Sequence, residues 1–319
     1  ETIQPDILKG LVVTIEADIS RGLHSFTIVG LASKAVDEAK DRVGSAIKHT
    51  GFDSPKTKNQ KIVISLSPAD LKKEGPLFDL PIALAYLQAA QDIAIDDVPR
   101  AYLGELALDG TLRPIKGALN ATRKAAEAGY REIIVPEANA TEAALIDSIA
   151  VIPAQNLQAV ISHITHPASE PDPRATLPQQ PVTEIDGGWH QSTVALEDIK
   201  GQETAKRGLV IAAAGRHNVM LVGPPGTGKT MLARALQSLL PPLSREEALE
   251  VTAIHSIANN DLEISNRPPF RSPHHTASHT SLVGGGTNPK PGEVTLAHRG
   301  VLFMDEFPEF ERRSLDSLR

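Results

Sequence analysis

Eight consecutive residues, Gly223-Pro224-Pro225-Gly226-Thr227-Gly228-Lys229-Thr230, place glycines, a lysine and a hydroxyl at the spacing G-x-x-x-x-G-K-[ST]. Glycine lets backbone N–H groups turn inward around phosphate oxygens, and a helix starting at the loop adds its positive dipole end. In such a loop Lys229 reaches the β/γ-phosphates and Thr230 holds Mg²⁺. Downstream, Gly300-Val301-Leu302-Phe303-Met304 is an apolar run that ends in Asp305-Glu306. Ligands of parallel α/β sheets bind at the C-terminal ends of the strands. Asp305 is therefore expected to contact Mg²⁺, and Glu306 to act as the base that orients an attacking water. The cofactors expected are ATP and Mg²⁺. Either half alone could be a glycine-rich turn or an acidic strand end; together they favour a phosphate site.

Such a loop works only between a strand and a helix. Asn218-Val219-Met220-Leu221-Val222 reads as the strand and residues 231–240 as the helix. Further upstream, Val12-Val13-Thr14-Ile15-Glu16-Ala17-Asp18-Ile19, Phe26-Thr27-Ile28-Val29 and Lys61-Ile62-Val63-Ile64-Ser65-Leu66 read as strands. Residues 33–49 carry apolar side chains at helical spacing, with Ser33 as N-cap and Gly51 as stop. Residues 79–90 and 120–128 read as helices, and residues 102–108 and Glu132-Ile133-Ile134-Val135 as strands. The expected organisation is an α+β domain over residues 1–166, a spacer over 167–193 and an α/β domain over 194–319. The spacer holds Pro167, Pro171, Pro173, Pro178 and Pro181, a density that prevents helix and ladder formation.

With 319 residues, 41% of them hydrophobic, the chain suits about two globular domains of ~150 residues. It has no cysteine, which excludes disulfides and thiolate zinc sites within it. Apolar runs such as residues 208–215 fall far short of the ~20 residues a bilayer span needs. No secretion signal is recognisable, so no membrane association is expected and the cytoplasm is the default compartment. A net charge of −7 offers no bulk attraction to nucleic acid, so any such contact needs local basic surface. Lys56, Lys58 and Lys61 could supply it, although a solvated loop is the preferred reading.

Four further stretches carry a resemblance: Arg267-Pro268-Pro269-Phe270-Arg271-Ser272-Pro273-His274-His275-Thr276, Leu282-Val283-Gly284-Gly285-Gly286, Pro289-Lys290-Pro291-Gly292-Glu293 and Leu296-Ala297-His298-Arg299-Gly300. They resemble the magnesium-chelatase-type branch of AAA+ proteins. Nearly the whole chain is similar to the ComM/YifB family of that branch. The resemblance implies a partial AAA+ doubly wound parallel sheet, a homo-hexameric ring and an ATPase motor acting on branched DNA. Leu196-Glu197-Asp198-Ile199-Lys200-Gly201-Gln202 resembles the AAA+ segment that closes over adenine, which makes Ile199 and Gly201 nucleotide contacts. The histidines His274, His275 and His279 are read as part of an inserted loop rather than a metal site. Arg267, Arg271 and Lys290 give that loop a positive bias suited to phosphate contact.

The first domain resembles the proteolytic domain of Lon proteases, through Lys73-Glu74-Gly75-Pro76 and Leu112-Arg113-Pro114-Ile115. Where that pattern has its serine this chain has Leu77, and near the expected lysine it has Leu119-Asn120. Without hydroxyl or amine there is no Ser-Lys dyad, so no proteolytic substrate is expected. Both termini are read as cut, and the resemblance places a strand between the Met220 and Leu302 strands beyond Arg319. ATP turnover is therefore expected of the full-length protein rather than of these residues alone. Two other functions stay open: a metal-insertion subunit of a magnesium chelatase, and a non-hydrolysing ATP-binding scaffold.

Overall fold

The structure is a computed structural model that describes residues 1–6, 10–165, 176–185, 187–189, 194–258, 264–285 and 290–318. Pro167, Pro171, Pro173, Gly286, Pro289 and Arg319, and the expected boundary at residue 166, lie outside the described residues. The chain divides into two compact units, Glu1–Glu184 and Ile185–Arg319.

In the first unit the elements run β1 (Thr2–Gln4), β2 (Leu11–Arg21), β3 (Ser25–Val29), α1 (Lys34–Asp37), α2 (Ala39–His49), β4 (Gln60–Ser67), α3 (Asp79–Ala89), β5 (Arg100–Tyr102), β6 (Glu105–Leu106), β7 (Leu112–Arg113), α4 (Ala118–Glu127), β8 (Glu132–Pro136), α5 (Ala140–Ala143), β9 (Ala150–Ala154) and α6 (Leu157–Ile164). One sheet has the order β1-β2-β4-β3, with β4 antiparallel to β2 and parallel to β3. Along β4, Ile62, Ile64 and Leu66 are buried while Lys61 and Ser67 are exposed, the period-two alternation of a sheet with one covered face. A second sheet, β5-β8-β9, is all parallel, and its central strand buries Ile133, Ile134 and Val135 in succession. Helix α3, packed against β2 and α2, is buried on nearly every side, through Leu80, Ile82, Ala83, Leu84, Tyr86 and Leu87.

Several local expectations change. The helix expected over residues 33–49 is two helices that meet at Glu38. Ser33 precedes the first in extended conformation, but its hydroxyl makes no capping bond. The strand expected over 102–108 is interrupted at Gly104, whose N–H donates to the Leu77 carbonyl and whose carbonyl accepts from Leu80 N–H. Residues 177–183, expected in the spacer, are tied to the first unit. Leu177 N–H donates to His163, Gln180 N–H to the Val151 carbonyl and Thr183 N–H to the Ala144 carbonyl.

Asp79 is fully buried at the start of α3, where Arg42 grips both carboxylate oxygens at 2.6 and 2.9 Å. Burial pushes its carboxyl upward while the guanidinium opposes that shift. At the paired starts of β5 and β8, Arg100 bonds both Asp96 and Glu132, and His163 reaches the same Glu132 oxygen at 3.5 Å. The hydrogen bond from His163 drives Glu132 down to about 2, against its burial and with help from Arg100.

The second unit contains α7 (Glu203–Gly215), α8 (Lys229–Leu239), α9 (Arg245–Ala258), β10 (Phe270–Arg271), α10 (His279–Val283), β11 (Gly284–Gly285), β12 (Lys290–Pro291), α11 (Glu293–Leu296), β13 (Val301–Leu302) and α12 (Arg312–Asp316). It too is mixed α/β with parallel pairing, since β10 runs parallel to β13 with Phe270 opposite Val301 and Arg271 opposite Leu302. The strand expected at Asn218–Val222 does not form: among the described residues that segment pairs with no other, and Met220 and Val222 are 82% and 84% exposed. An extended segment becomes a strand only when a neighbour completes its ladder. Conversely Phe270 and Arg271, expected in an inserted loop, form the strand that supports the Asp305 run. Gly300 permits that pairing, because a Cβ there would lie 2.0 Å from the Pro269 carbonyl oxygen. The same oxygen accepts from Val301 N–H at 2.8 Å, and Phe303 N–H donates to the Arg271 carbonyl at 2.8 Å.

Replacing Arg42 with alanine leaves a buried carboxylate without its counterion and should cost about 3–5 kcal/mol, read from denaturant melts. Gly300→Ala forces β13 away from Pro269 and should cost about 1–3 kcal/mol, with hydrogen exchange accelerated at Val301 and Phe303. Glu132 has a folded pKa below its ordinary 4.5, so its contribution to stability is complete above that value. It should be lost as pH falls from 4.5 towards 2, and Glu132→Gln should flatten that part of the profile.

Candidate nucleotide site

The geometry of the glycine-rich loop follows from the helix behind it. Leu232, Ala233 and Ala235 of α8 are buried, and Leu232 and Ala235 form a small core with Leu209 of α7 and Ile199. This packing fixes the start of α8 at Lys229, with Gly228 as its cap at φ 86° and Gly226 at φ 79°. Side chains rarely tolerate either angle. Thr227 Oγ1 donates to the Pro224 carbonyl at 2.9 Å, closing the loop on itself. Lys229 Nζ donates to the carbonyls of Gly223 and Pro224 at 2.9 and 2.8 Å. Gly223, Pro224, Pro225 and Gly226 are exposed, so the loop's outer face is open to solvent.

Beside the loop lies an open cleft of about 710 Å³, lined in part by Gln202, Thr204, Gly208, His217, Thr227 and Lys229. Ile199 does not line it. The side chain is only 6% exposed and supports the cleft from the core. Gly201 adopts φ 70° at the turn into α7 and does not line the cleft either. The neighbouring Gln202 does, and its Nε2 donates to the Thr227 carbonyl at 3.3 Å. Sequence reasoning missed Gln202 as a site residue, although it is the polar end of the Asp198-Ile199-Lys200-Gly201-Gln202 string.

Asp305 arrives from β13. Its Oδ2 accepts from Thr230 Oγ1 at 3.2 Å, and its Oδ1 accepts from Glu306 N–H at 3.0 Å. The hydroxyl and the carboxylate expected to share a cation are therefore brought together. Glu306 follows at φ 55°, an uncommon conformation for a residue with a side chain and one that clusters at functional sites. Its carboxylate meets His275 Nδ1 at 3.1 Å. That contact was not legible in advance, because His275 belongs to the stretch read as an inserted loop.

Other expected contacts are placed differently. Arg271 is held by Glu293 through two bonds of 2.6 and 2.8 Å, and Arg267 donates to Gln237 Oε1 at 2.9 Å. Both are committed within the second unit, and Lys290 remains exposed. In the first unit Lys56 pairs with Asp41 at 2.6 Å and Lys58 with Asp53 at 3.3 Å, while Lys61 is exposed. Leu77 lies in the apolar core, and buried Asn120 donates to the Asp6 carbonyl at 2.8 Å. Among the described residues no helix is long and apolar enough to cross a membrane.

Comparison with known proteins matches two family models. Residues 195–319 match the magnesium chelatase subunit ChlI model, and residues 15–139 match a second model for subunit ChlI of Mg-chelatase. The chain is 49% identical over 311 residues to the YifB protein of Salmonella typhimurium, covering 96% of this chain and 59% of that protein. It is 46% identical over 312 residues to the competence protein ComM of Haemophilus influenzae, covering 97% of this chain and 60% of ComM. A local match to Lon protease 1 of Myxococcus xanthus is 31% identical over 137 residues, 41% of this chain and 16% of that protease. The chain thus spans about three-fifths of the length of its ComM and YifB relatives. Two ChlI-type segments in succession, with identity to YifB and ComM running through both, assign the chain to the ComM/YifB family of magnesium-chelatase-like proteins.

Proposed function

We propose that the chain binds ATP with Mg²⁺ and that the intact protein hydrolyses ATP to drive a hexameric AAA+ motor on branched DNA. The contact between Thr230 and Asp305 carries the reading, because it joins the end of the phosphate-type loop to the acidic strand end. The donor set fits Mg²⁺, a hard cation that takes one or two carboxylates, waters and phosphate oxygens. Thr230 and Asp305 would hold it, and when bound it would neutralise charge on the phosphates. Open backbone at Gly226 and Gly228 fits a phosphate approaching α8. Lys229, bound by two neutral carbonyls, transfers to the β/γ-phosphates, and Glu306 orients the attacking water and takes its proton. Gln202 and Thr227 line the cleft that would take the rest of the nucleotide, while Ile199 and Gly201 would act from behind that lining.

The DNA partner rests on the likeness to ComM, and a cytoplasmic setting accords with it. The Lon match supports a protease-like fold for the first unit, where Leu77 and Asn120 supply neither nucleophile nor base. Both matched models carry a chelatase description, which favours a second reading as a metal-insertion ATPase subunit. Turnover and strand movement on branched DNA by the intact protein separate the two. Glu306→Gln should keep nucleotide affinity and lose at least about 100-fold in kcat, whereas Lys229→Ala should lose affinity as well. Absent turnover, or a Glu306→Gln protein as fast as wild type, would sink the ATPase assignment. Turnover without strand movement, together with magnesium insertion into a porphyrin by the reconstituted system, would favour the chelatase.

A further inference from the structure

We infer that His275 is a positioning residue for Glu306, its imidazole holding the carboxylate that orients the attacking water. The inference rests on the ATPase reading above. Glu306 has a side chain 65% exposed to solvent. Among the described residues His275 is the side chain that meets its carboxylate, at 3.1 Å. An exposed glutamate otherwise samples many rotamers, and ordering it costs side-chain entropy. A base that must stand within hydrogen-bond reach of one water proton needs that freedom removed before reaction.

The contact is built into the pairing of two strands. Arg271 of β10 is opposite Leu302 of β13 in a parallel register. His275 lies four residues beyond Arg271, and Glu306 four beyond Leu302. The register therefore carries both side chains off the same end of the pair. Arg271 is locked by Glu293 through two hydrogen bonds, and Gly300 allows the close approach to Pro269, so slippage is opposed on both strands. His275 is itself restrained. Its ring packs on that of His274 with centroids 4.1 Å apart. His274 Nδ1 in turn lies 2.8 Å from Thr276 Oγ1, and the His274 carbonyl accepts from Ala277 N–H at 2.9 Å. Glu306 contributes the complementary constraint through its left-handed backbone, which fixes where its side chain starts. For His275 to donate to this carboxylate the imidazole proton must lie on Nδ1, since the carboxylate oxygen can only accept.

The test uses ATP turnover by the intact protein, with nucleotide affinity measured separately by a fluorescent ATP analogue. His275→Ala should lower kcat at least about tenfold and leave KM and analogue affinity within about twofold of wild type. His275→Asn, whose amide can donate from nearly the same place, should recover most of the loss. His275→Phe keeps a ring against His274 without the donor and should behave like the alanine variant. Adding His275→Ala to Glu306→Gln should cost nothing further, because a residue acting only through Glu306 has no effect once the carboxylate is gone. Wild-type kcat in His275→Ala, or an additive loss in the double variant, would overturn the assignment. Should the alanine variant fail to fold, equal kcat in the phenylalanine and asparagine variants would do the same, and a higher kcat in asparagine would support it. A wild-type protein that turns over no ATP would instead remove the ATPase reading, and this role with it.

Discussion

The hydrogen bonds from Val301 to Pro269 and from Phe303 to Arg271 hold β13 beside β10, and the placement of Asp305 and Glu306 depends on that pairing. A strand of two residues has little stability of its own; what fixes it is the surrounding commitment of side chains. Phe270 and Phe303 rings stack with centroids 6.0 Å apart, one from each side of the pair. Arg267 and Gln237 lash the segment before β10 to α8, since Gln237 also donates to the Pro268 carbonyl at 2.6 Å. On the approach to β13, Arg299 bonds Glu247 and Glu250 of α9. Through these ties α8, which begins at Lys229, and β13, which delivers Asp305, share one frame, and the contact from Thr230 to Asp305 follows.

The first unit is organised by a different constraint. There the large apolar helix α3 occupies the core, and the cost of burying Asp79 at its start is offset by Arg42 and by the Leu106 N–H. A charged pair in such a place contributes direction more than net stability. It ties α2 and β6 to the same end of α3.

Much of this was legible in the sequence, and the physical reason is that the legible parts are local. Along β4 the alternation of Ile62, Ile64 and Leu66, and the continuous Ile133-Ile134-Val135 run of β8, state their own burial pattern. The loop from Gly223 to Thr230 is equally local, because glycine, lysine and hydroxyl spacing is a property of backbone and reach. What escaped depended on distant partners. Asn218–Val222 has the composition of a strand, but composition does not supply a ladder. Phe270 and Arg271 sit among prolines with no periodicity to mark them, and only β13 makes them a strand. The interruption at Gly104 comes from backbone bonds with Leu77 and Leu80. His275 became a neighbour of Glu306 through a register no single stretch of chain encodes.

Lys229 rests on the carbonyls of Gly223 and Pro224, residues of the very loop it serves. The loop thus carries an internal guest, a cation that keeps the curvature of the backbone in place before any anion arrives. On the reading proposed above, an incoming phosphate would exchange one set of partners for the lysine with a stronger one, and the chain would be spared much of the ordering that a slack loop has to undergo. Recognition at this point would then be a substitution reaction within a shape already held.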